Sequence, residues 1–469
     1  MTVRALLFLL LVGSVLGPGA SLLATVAGPE PGARLAALLG GTAGGAVGGT
    51  AAVGADTWED ALELNQKAKA ALERGQAAEA VLYLESARKL APEDEVLARN
   101  LGYAYFLRGK DLLAAFDWEG AVADYGRAAD LVPEQPMYRL HMANLLLQRY
   151  RLEEALAQAD RTIATAPETP DAHALRGDVL NLLDRLPEAL EAYAEAERRL
   201  AAEPAEDGGG EAAAVDAEGR ARLAERVATA KARTERQHAV ERDYTSDRTR
   251  FFTVRHPLET DVLRLTDVLD RARADVCNLF DHHTGTRALV VVYPPDDFRR
   301  VTGTHEWVGG LFDRKIRLPL ADPDTERARI EQAFRHEFTH LLVTEMAPGC
   351  PAFLNEGLAQ LAEYGRGEGM DRLVAWLDGR GRPRESLPRL SELPDSFLSV
   401  ADPETVHEGY LLSHAFLDHV VSQHGLARAV RWARLSAQEP LADAFKAAVG
   451  RPLAQEEELF RELVRTARG

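Results

Sequence analysis

The sequence predicts a multidomain chain in which an all-α solenoid of stacked helical hairpins precedes a mixed α+β domain. Three observations carry this. An alanine-centred pattern recurs with a 34-residue period between residues 57 and 202. An acidic, glycine-rich stretch interrupts the chain at residues 203–219. Beyond Tyr244, short apolar runs of strand length alternate with segments of helical spacing. The 469 residues and 46% hydrophobic content exclude a wholly disordered or fibrous chain and suit two or three domains. A formal net charge of -18 leaves no broad cationic surface for phosphates, so nucleic-acid binding is excluded as a general role.

Taken in order, the first 29 residues carry Arg4, an uncharged apolar run and small residues near Ala27. This is the composition of a secretory signal. The uncharged stretch from Ala5 to Pro29 is also long enough for an uncleaved signal anchor, so the sequence leaves both open. Either implies export to the periplasm or the cell exterior. Neither cysteine lies near it, which excludes a lipoprotein anchor. Residues 30–56 are mostly Gly and Ala and read as a flexible linker.

In residues 57–202, Ala80, Ala121, Ala155 and Ala189 are separated by 41, 34 and 34 residues, and Pro92, Pro133 and Pro167 each follow an alanine by 12. Ala68, Ala143 and Gly177 precede theirs by 12, while Gly102 precedes Ala121 by 19, which places a seven-residue insertion near Lys110 to Phe116. Small residues where antiparallel helices cross, and a proline ending the second helix, are what a stacked hairpin needs. Over about 140 residues the pattern resembles the tetratricopeptide repeat family, which implies a protein-binding solenoid. The charged stretch Arg220 to Arg242, at the end of a connecting segment 203–243, is expected to be a helix that spaces or caps the repeats.

From 244 to 469 the strand candidates are Arg250–Val254, Ala288–Tyr293 and Leu311–Leu320, with helical spacing of apolar residues between Leu258 and Val276. Asp322-Pro323-Asp324 gives helix-start signals, and Ile330, Phe334, Phe338, Leu341 and Leu342 mark the buried stripe of a helix running to about Met346. That helix contains HEFTH. His336 and His340 are four apart, so both imidazoles leave one face and can reach one zinc ion, with Glu337 beside the metal. Alone, HExxH is a weak signal. Sixteen residues after His340 comes Glu356, in the first turns of a second helix between Pro351 and Gly365. Two His and one Glu form a three-ligand zinc set with an open position for water.

HEFTH followed by PAFLNEGLAQ resembles the gluzincin (thermolysin-like) metallopeptidases. The segments VVVYPPDDFRRVTGTHEWVGGLFDRKIRLPL and HEGYLLSHAFLDHVV are similar to the peptidase MA-like domain often found with tetratricopeptide repeats in bacterial exported proteins. The resemblance runs from Arg250 to Arg468. It implies that His336, His340 and Glu356 bind Zn2+, that Glu337 is the general base, and that Asn355 and Ala359 shape the turn around the third ligand. Two departures are Phe353, where such sequences commonly have tryptophan, and Cys350, which has no family role.

Peptide hydrolysis also needs a donor for the tetrahedral oxyanion. Tyr410 and His414, four apart on one helix, are the candidates, against a reading in which both pack in a helix interface. Tyr410 follows His340 by 70 residues, similar to the helper tyrosine of gluzincin aminopeptidases. Trp307 to Gly310 form either a substrate edge or a turn. His282, His283 and His305 read as surface residues, and His419 and His424 as decoration of a solvated face. Cys277 and Cys350 are too few for a disulfide scaffold, and their pairing stays open. The resulting expectation is an exported zinc peptidase, possible membrane tether included, whose repeats recruit a protein partner or the protein substrate. Its alternative is an envelope adaptor with a structural or inactive metallopeptidase domain.

Overall fold

Alanine and glycine at fixed spacing let helices approach closely, and the architecture follows from that. The computed structural model describes residues 55–115, 117–202, 211–303, 310–320, 326–394, 397, 400 and 402–467. The signal or anchor segment and the Gly/Ala linker up to residue 54 lie outside the described residues, as do 203–210 of the acidic connection. Among the described residues no helix is long and apolar enough to cross a membrane. The chain divides into two compact units between Thr234 and Glu235.

The first unit is a row of antiparallel helix pairs: α1 (Ala55–Glu73) with α2 (Ala77–Leu90), α3 (Glu95–Ala114) with α4 (Trp118–Leu131), α5 (Pro136–Gln148) with α6 (Leu152–Thr165), and α7 (Pro170–Leu182) with α8 (Leu186–Ala201). Asp94 and Asp117 cap α3 and α4 by accepting from the backbone N–H of Leu97 and Gly120, and prolines occupy the first positions of α5 and α7. The periodic Ala80, Ala121, Ala155 and Ala189 are all fully buried where each pair crosses. Gly109 and Gly177 show why the partner position must be small. A Cβ added there would stand 2.7 and 2.6 Å from the rings of Tyr125 and Tyr193, closer than any real contact.

Gly109, not Gly102, is therefore the residue 12 before Ala121 that matches Gly177. The expected insertion near Lys110 to Phe116 is not an added loop. Helix α3 is 20 residues long against 13 in α5 and in α7. Seven added residues are about two helical turns, which returns the same face to its neighbours.

The charged stretch is the last two-thirds of a longer helix, α9 (Glu211–Glu241). Leu223 and Val227 pack on Ala189, Ala192, Tyr193 and Ala196, which covers the apolar face of the last pair. Arg226 pairs with Asp178 at 2.7 Å, and the same carboxylate accepts from the Tyr193 hydroxyl at 2.8 Å.

The second unit starts with the end of α9. Its strands are β1 (Thr245–Arg248), β2 (Phe252–His256), β3 (Ala288–Tyr293), β4 (Leu311–Phe312) and β5 (Ile316–Pro319), in the spatial order β1-β2-β3-β5-β4. β2, β3 and β5 run parallel, and β1 and β4 are antiparallel edges. The run read as one strand, Leu311–Leu320, is a hairpin broken at Arg314, whose φ is 73. Helix α10 (Val262–Phe280) buries Leu265, Leu269, Ala272 and Val276 as its spacing predicts, but Leu258 precedes it and is 74% exposed. Helix α11 (Pro295–Thr302) puts Phe298 and Val301 against Val291 and Tyr293.

α12 (Arg327–Met346) carries the predicted stripe, with Phe334 and Phe338 edge-on to Phe252 of β2 at 5.4 and 6.4 Å. Its start signals at Asp322 to Asp324 lie outside the described residues. The chain then forms α13 (Ala352–Tyr364), α14 (Gly369–Gly379), two short 3-10 turns, α15 (Pro403–His424), α16 (Leu426–Ser436), α17 (Leu441–Val449) and α18 (Leu453–Thr466).

A buried polar knot ties the end of α9 into this unit. Glu241, fully buried, accepts from the Tyr293 hydroxyl and from Gln237 Nε2 and lies 3.1 Å from Arg255 Nε. Arg317, 1% exposed, bonds Tyr293, Gln237 and Asp313. The unit thus begins about ten residues before the expected boundary at 244. Glu241→Leu in the full chain should lower the stability of this unit by about 3 to 5 kcal/mol, because it strands buried guanidinium groups. A thermal or urea transition unchanged from the parent would show that the knot contributes nothing.

Candidate metal centre

Helices α12 and α13 face each other across the site. His336 and His340 sit one turn apart on α12, with ring centroids 4.8 Å apart and planes near perpendicular. Glu356, in the first turns of α13, points between them. Ligand atoms of His336, His340 and Glu356 all lie within 4.8 Å of one another, and no other such group occurs among the described residues. Glu356 Oε2 is 3.5 Å from His336 Nε2 and 3.8 Å from His340 Nε2.

The far side of each imidazole is fixed by hydrogen bonds. His336 Nδ1 donates to Glu363 Oε2 at 2.9 Å, and His340 Nδ1 donates to Asn355 Oδ1 at 3.0 Å. With the protons placed there, both Nε2 atoms turn toward Glu356. That carboxylate's Oε2 is buried and has no hydrogen-bond partner. A buried, unsatisfied carboxylate oxygen between two imidazole nitrogens is costly unless a cation fills the space. The donor set, two nitrogens and one oxygen with outer partners on both histidines, fits a zinc ion.

The proton equilibria point the same way. Burial works against charge on His336, but the Glu356 and Glu363 carboxylates and the charge of Glu337 outweigh it and hold its pKa well above the ordinary value. Burial lowers His340. Glu356 is raised by burial but drawn below its usual range by the two histidines. The carboxylates therefore favour positive charge at this spot, as a cation site would.

Glu337 is 6% exposed and does not join the ligand group. Burial first, then the charges of Glu356 and Glu363, push its pKa up to about 8, against the opposing pull of His336 and the Phe312 backbone N–H. The edge strand β4 forms this wall. Gly310 lies so close that a Cβ there would stand 2.8 Å from Glu337 Oε1, and the Phe312 ring stacks on His340 with centroids 6.4 Å apart. Of the stretch Trp307 to Gly310, only Gly310 is within the described residues.

Tyr410 and His414 lie one turn apart on α15 but differ in setting. Burial, followed by the charges of Glu356 and Glu337, raises the Tyr410 phenol well above its usual pKa, which puts it in the electrostatic reach of both carboxylates. Its ring is edge-on to Phe397 at 5.0 Å. His414 is fully buried, with Nδ1 3.1 Å from Arg372 Nη1 and Nε2 3.4 Å from the Gly365 carbonyl. An arginine only donates, so Nδ1 is the acceptor and the single N–H points at Gly365. Burial, with Arg372 beside it, lowers this imidazole to about 4, which keeps it neutral.

Sequence reasoning missed Glu363 and Arg372. Glu363 was within reach, being seven residues, or about two turns, past Glu356 on the same helix face. Asn355 orients His340, and Ala359 is buried in α13. His419 and His424 do not decorate a solvated face. Their side chains are 7% and 9% exposed and both lie against fully buried Glu456 of α18, at 2.9 and 3.1 Å, with Arg451 on the same carboxylate. The apolar run around them gave no sign of a distant carboxylate. His282 is half-buried beside Glu345, His283 is exposed, and His305 lies outside the described residues. Cys277 and Cys350 are free and buried.

No protein-family model matches the chain, and no curated protein matches it. Among solved structures it is similar to MamA, from position 41 to its end, from Desulfovibrio magneticus RS-1, at 19% identity over 40% of this chain and 98% of that one, with a TM-score of 0.25. It is also similar to an O-GlcNAc transferase mutant from Thermobaculum terrenum, at 14% identity over 90% of this chain and 100% of that one, with a TM-score of 0.26. Scores this low carry no activity across.

Proposed function

We propose that the chain is a zinc-dependent peptidase whose helical repeats recruit a protein partner or the protein substrate. One observation carries the reading: the His336, His340 and Glu356 ligand atoms converge around a partnerless buried carboxylate oxygen, beside a buried Glu337 that is not a ligand. Zinc, when bound, supplies a Lewis acid that acidifies water and polarises a peptide carbonyl. The chain's own groups do the rest. Glu337, steadied by the Phe312 N–H and packed against Gly310, is ionised once the charge of a bound cation draws its raised pKa back down, and then takes the proton of the attacking water and returns it to the leaving nitrogen. Tyr410 donates its hydroxyl to the developing oxyanion, since the only N–H of His414 is directed to Gly365. The peptidase MA-like resemblance of the sequence agrees with this reading, and export of the chain is part of the proposal.

Zinc loading tests the ligand assignment apart from turnover. Glu356→Ala should fail to retain zinc through a chelator competition that the parent survives. Glu363→Ala should weaken affinity by about tenfold to a hundredfold, because it frees the His336 ring without removing a ligand. Equal zinc affinity for the parent and both variants would refute the assignment.

The second reading is a protein-binding adaptor in which this unit is structural. The regular array of helix pairs favours it. The two readings part on one assay: incubating the full chain with a mixed peptide library, with and without chelator. Chelator-sensitive cleavage supports the peptidase. A chain that carries zinc but leaves every peptide intact supports the adaptor.

A further inference from the structure

Helix α14 has no part in the chemistry above, yet it is fastened to both helices that do. Its first residues lie on α15: Asp418 accepts from the Gly367 N–H at 3.0 and 2.8 Å and from the Gly369 N–H at 3.1 Å. Gly369 approaches so closely that a Cβ there would stand 2.9 Å from the Ala415 Cα. One turn further along, Arg372 reaches between α13 and α15. Its Nη1 donates to Gln360 Oε1 at 2.9 Å and to His414 Nδ1 at 3.1 Å, and its guanidinium lies over the Tyr364 ring, 3.4 Å from the centroid.

The two acceptors are placed tellingly. Gln360 is one turn past Glu356 on α13, and His414 is one turn past Tyr410 on α15. Both are buried, at 6% and 0% exposure, so each would be left unsatisfied without the arginine. A planar guanidinium stacked on a ring while bonded to two acceptors is held in one orientation, which a lysine cannot reproduce.

We propose that Arg372 is a positioning residue that locks the Tyr410 helix to the Glu356 helix and so holds the Tyr410 hydroxyl in one place relative to Glu356. The proposal rests on the peptidase reading. A group held in this way pre-organises the donor before substrate arrives, and a displacement of about 1 Å can cost about a hundredfold.

The test is a double-mutant cycle in the full, zinc-loaded chain. Arg372→Met should lower kcat about tenfold to a hundredfold with KM and zinc content near the parent's. The double variant Arg372→Met/Tyr410→Phe should be no slower than Tyr410→Phe alone, because the arginine acts only through that hydroxyl. Arg372→Lys, which keeps the charge, should fall between the parent and Arg372→Met and guards against a Met variant that fails to fold. Calorimetry with a phosphonamidate peptide, a stable tetrahedral oxyanion mimic, gives a reading that does not depend on turnover. Its affinity should fall with Arg372→Met, and the double variant should bind it no more weakly than Tyr410→Phe alone. Amide exchange in the metal-free protein should quicken across Gly409 to His414.

If the Arg372 and Tyr410 effects multiply, or if exchange across that segment is unchanged, Arg372 does not act through Tyr410 and the proposal fails while the peptidase reading stands. If the parent neither cleaves peptides nor binds the phosphonamidate, both fail together.

Discussion

Glu337→Gln is expected to lower turnover by about a hundredfold to ten-thousandfold, the range of a lost general base, while zinc stays bound. The reason is positional. Glu337 is on the same helix as His336 and His340 but outside the ligand group, and it is held by the Phe312 N–H and by contact with Gly310. Glutamine has the same shape and keeps an acceptor for that N–H. It cannot take a proton from water. Zinc content by elemental analysis and kcat on a single peptide check the two halves separately. A variant that loses its metal, or that turns over like the parent, would remove Glu337 from the proposed role.

Tyr410→Phe should follow with a loss of about a hundredfold to a thousandfold in kcat, the usual cost of removing one oxyanion donor. The substitution keeps the ring and its edge-on contact with Phe397, so thermal stability and zinc content should match the parent. KM should change far less than kcat, since the hydroxyl is called on only as the carbonyl becomes tetrahedral. The burial of the phenol near two carboxylates keeps it protonated over the working pH range, as a donor must be. An unchanged kcat would leave α15 a packing element and return the oxyanion to other groups.

Local spacing made much of this legible in the sequence. The repeat unit was readable because helix crossing demands a small residue every time, and Ala80, Ala121, Ala155 and Ala189 record that demand directly. The place of the longer helix was misread only because Gly102 was matched in place of Gly109, although both lie in the sequence. The convergence of three side chains was readable for the same reason, since His336 and His340 are related by one helical turn and Glu356 by a short connection. What escaped depends on contacts between distant segments. Nothing near Arg372 announces Gln360 and His414, nothing near His419 announces Glu456, and nothing near Glu241 announces Arg317. Polar partners brought together from far along the chain leave no period behind. The hairpin at Arg314 was hidden because its two arms are only two and four residues long.

The central claim is that His336, His340 and Glu356 hold a zinc ion that this chain uses to hydrolyse peptides. It is tested most directly by removing and restoring the metal. The full chain, purified without chelator, is assayed for zinc and for cleavage of a peptide library, stripped, and reloaded with one equivalent of zinc. The account predicts near-stoichiometric zinc, loss of cleavage on stripping, recovery on reloading, and neither zinc nor recovery in Glu356→Ala. Cleavage that persists after stripping, or a stoichiometric zinc that Glu356→Ala retains, would contradict it.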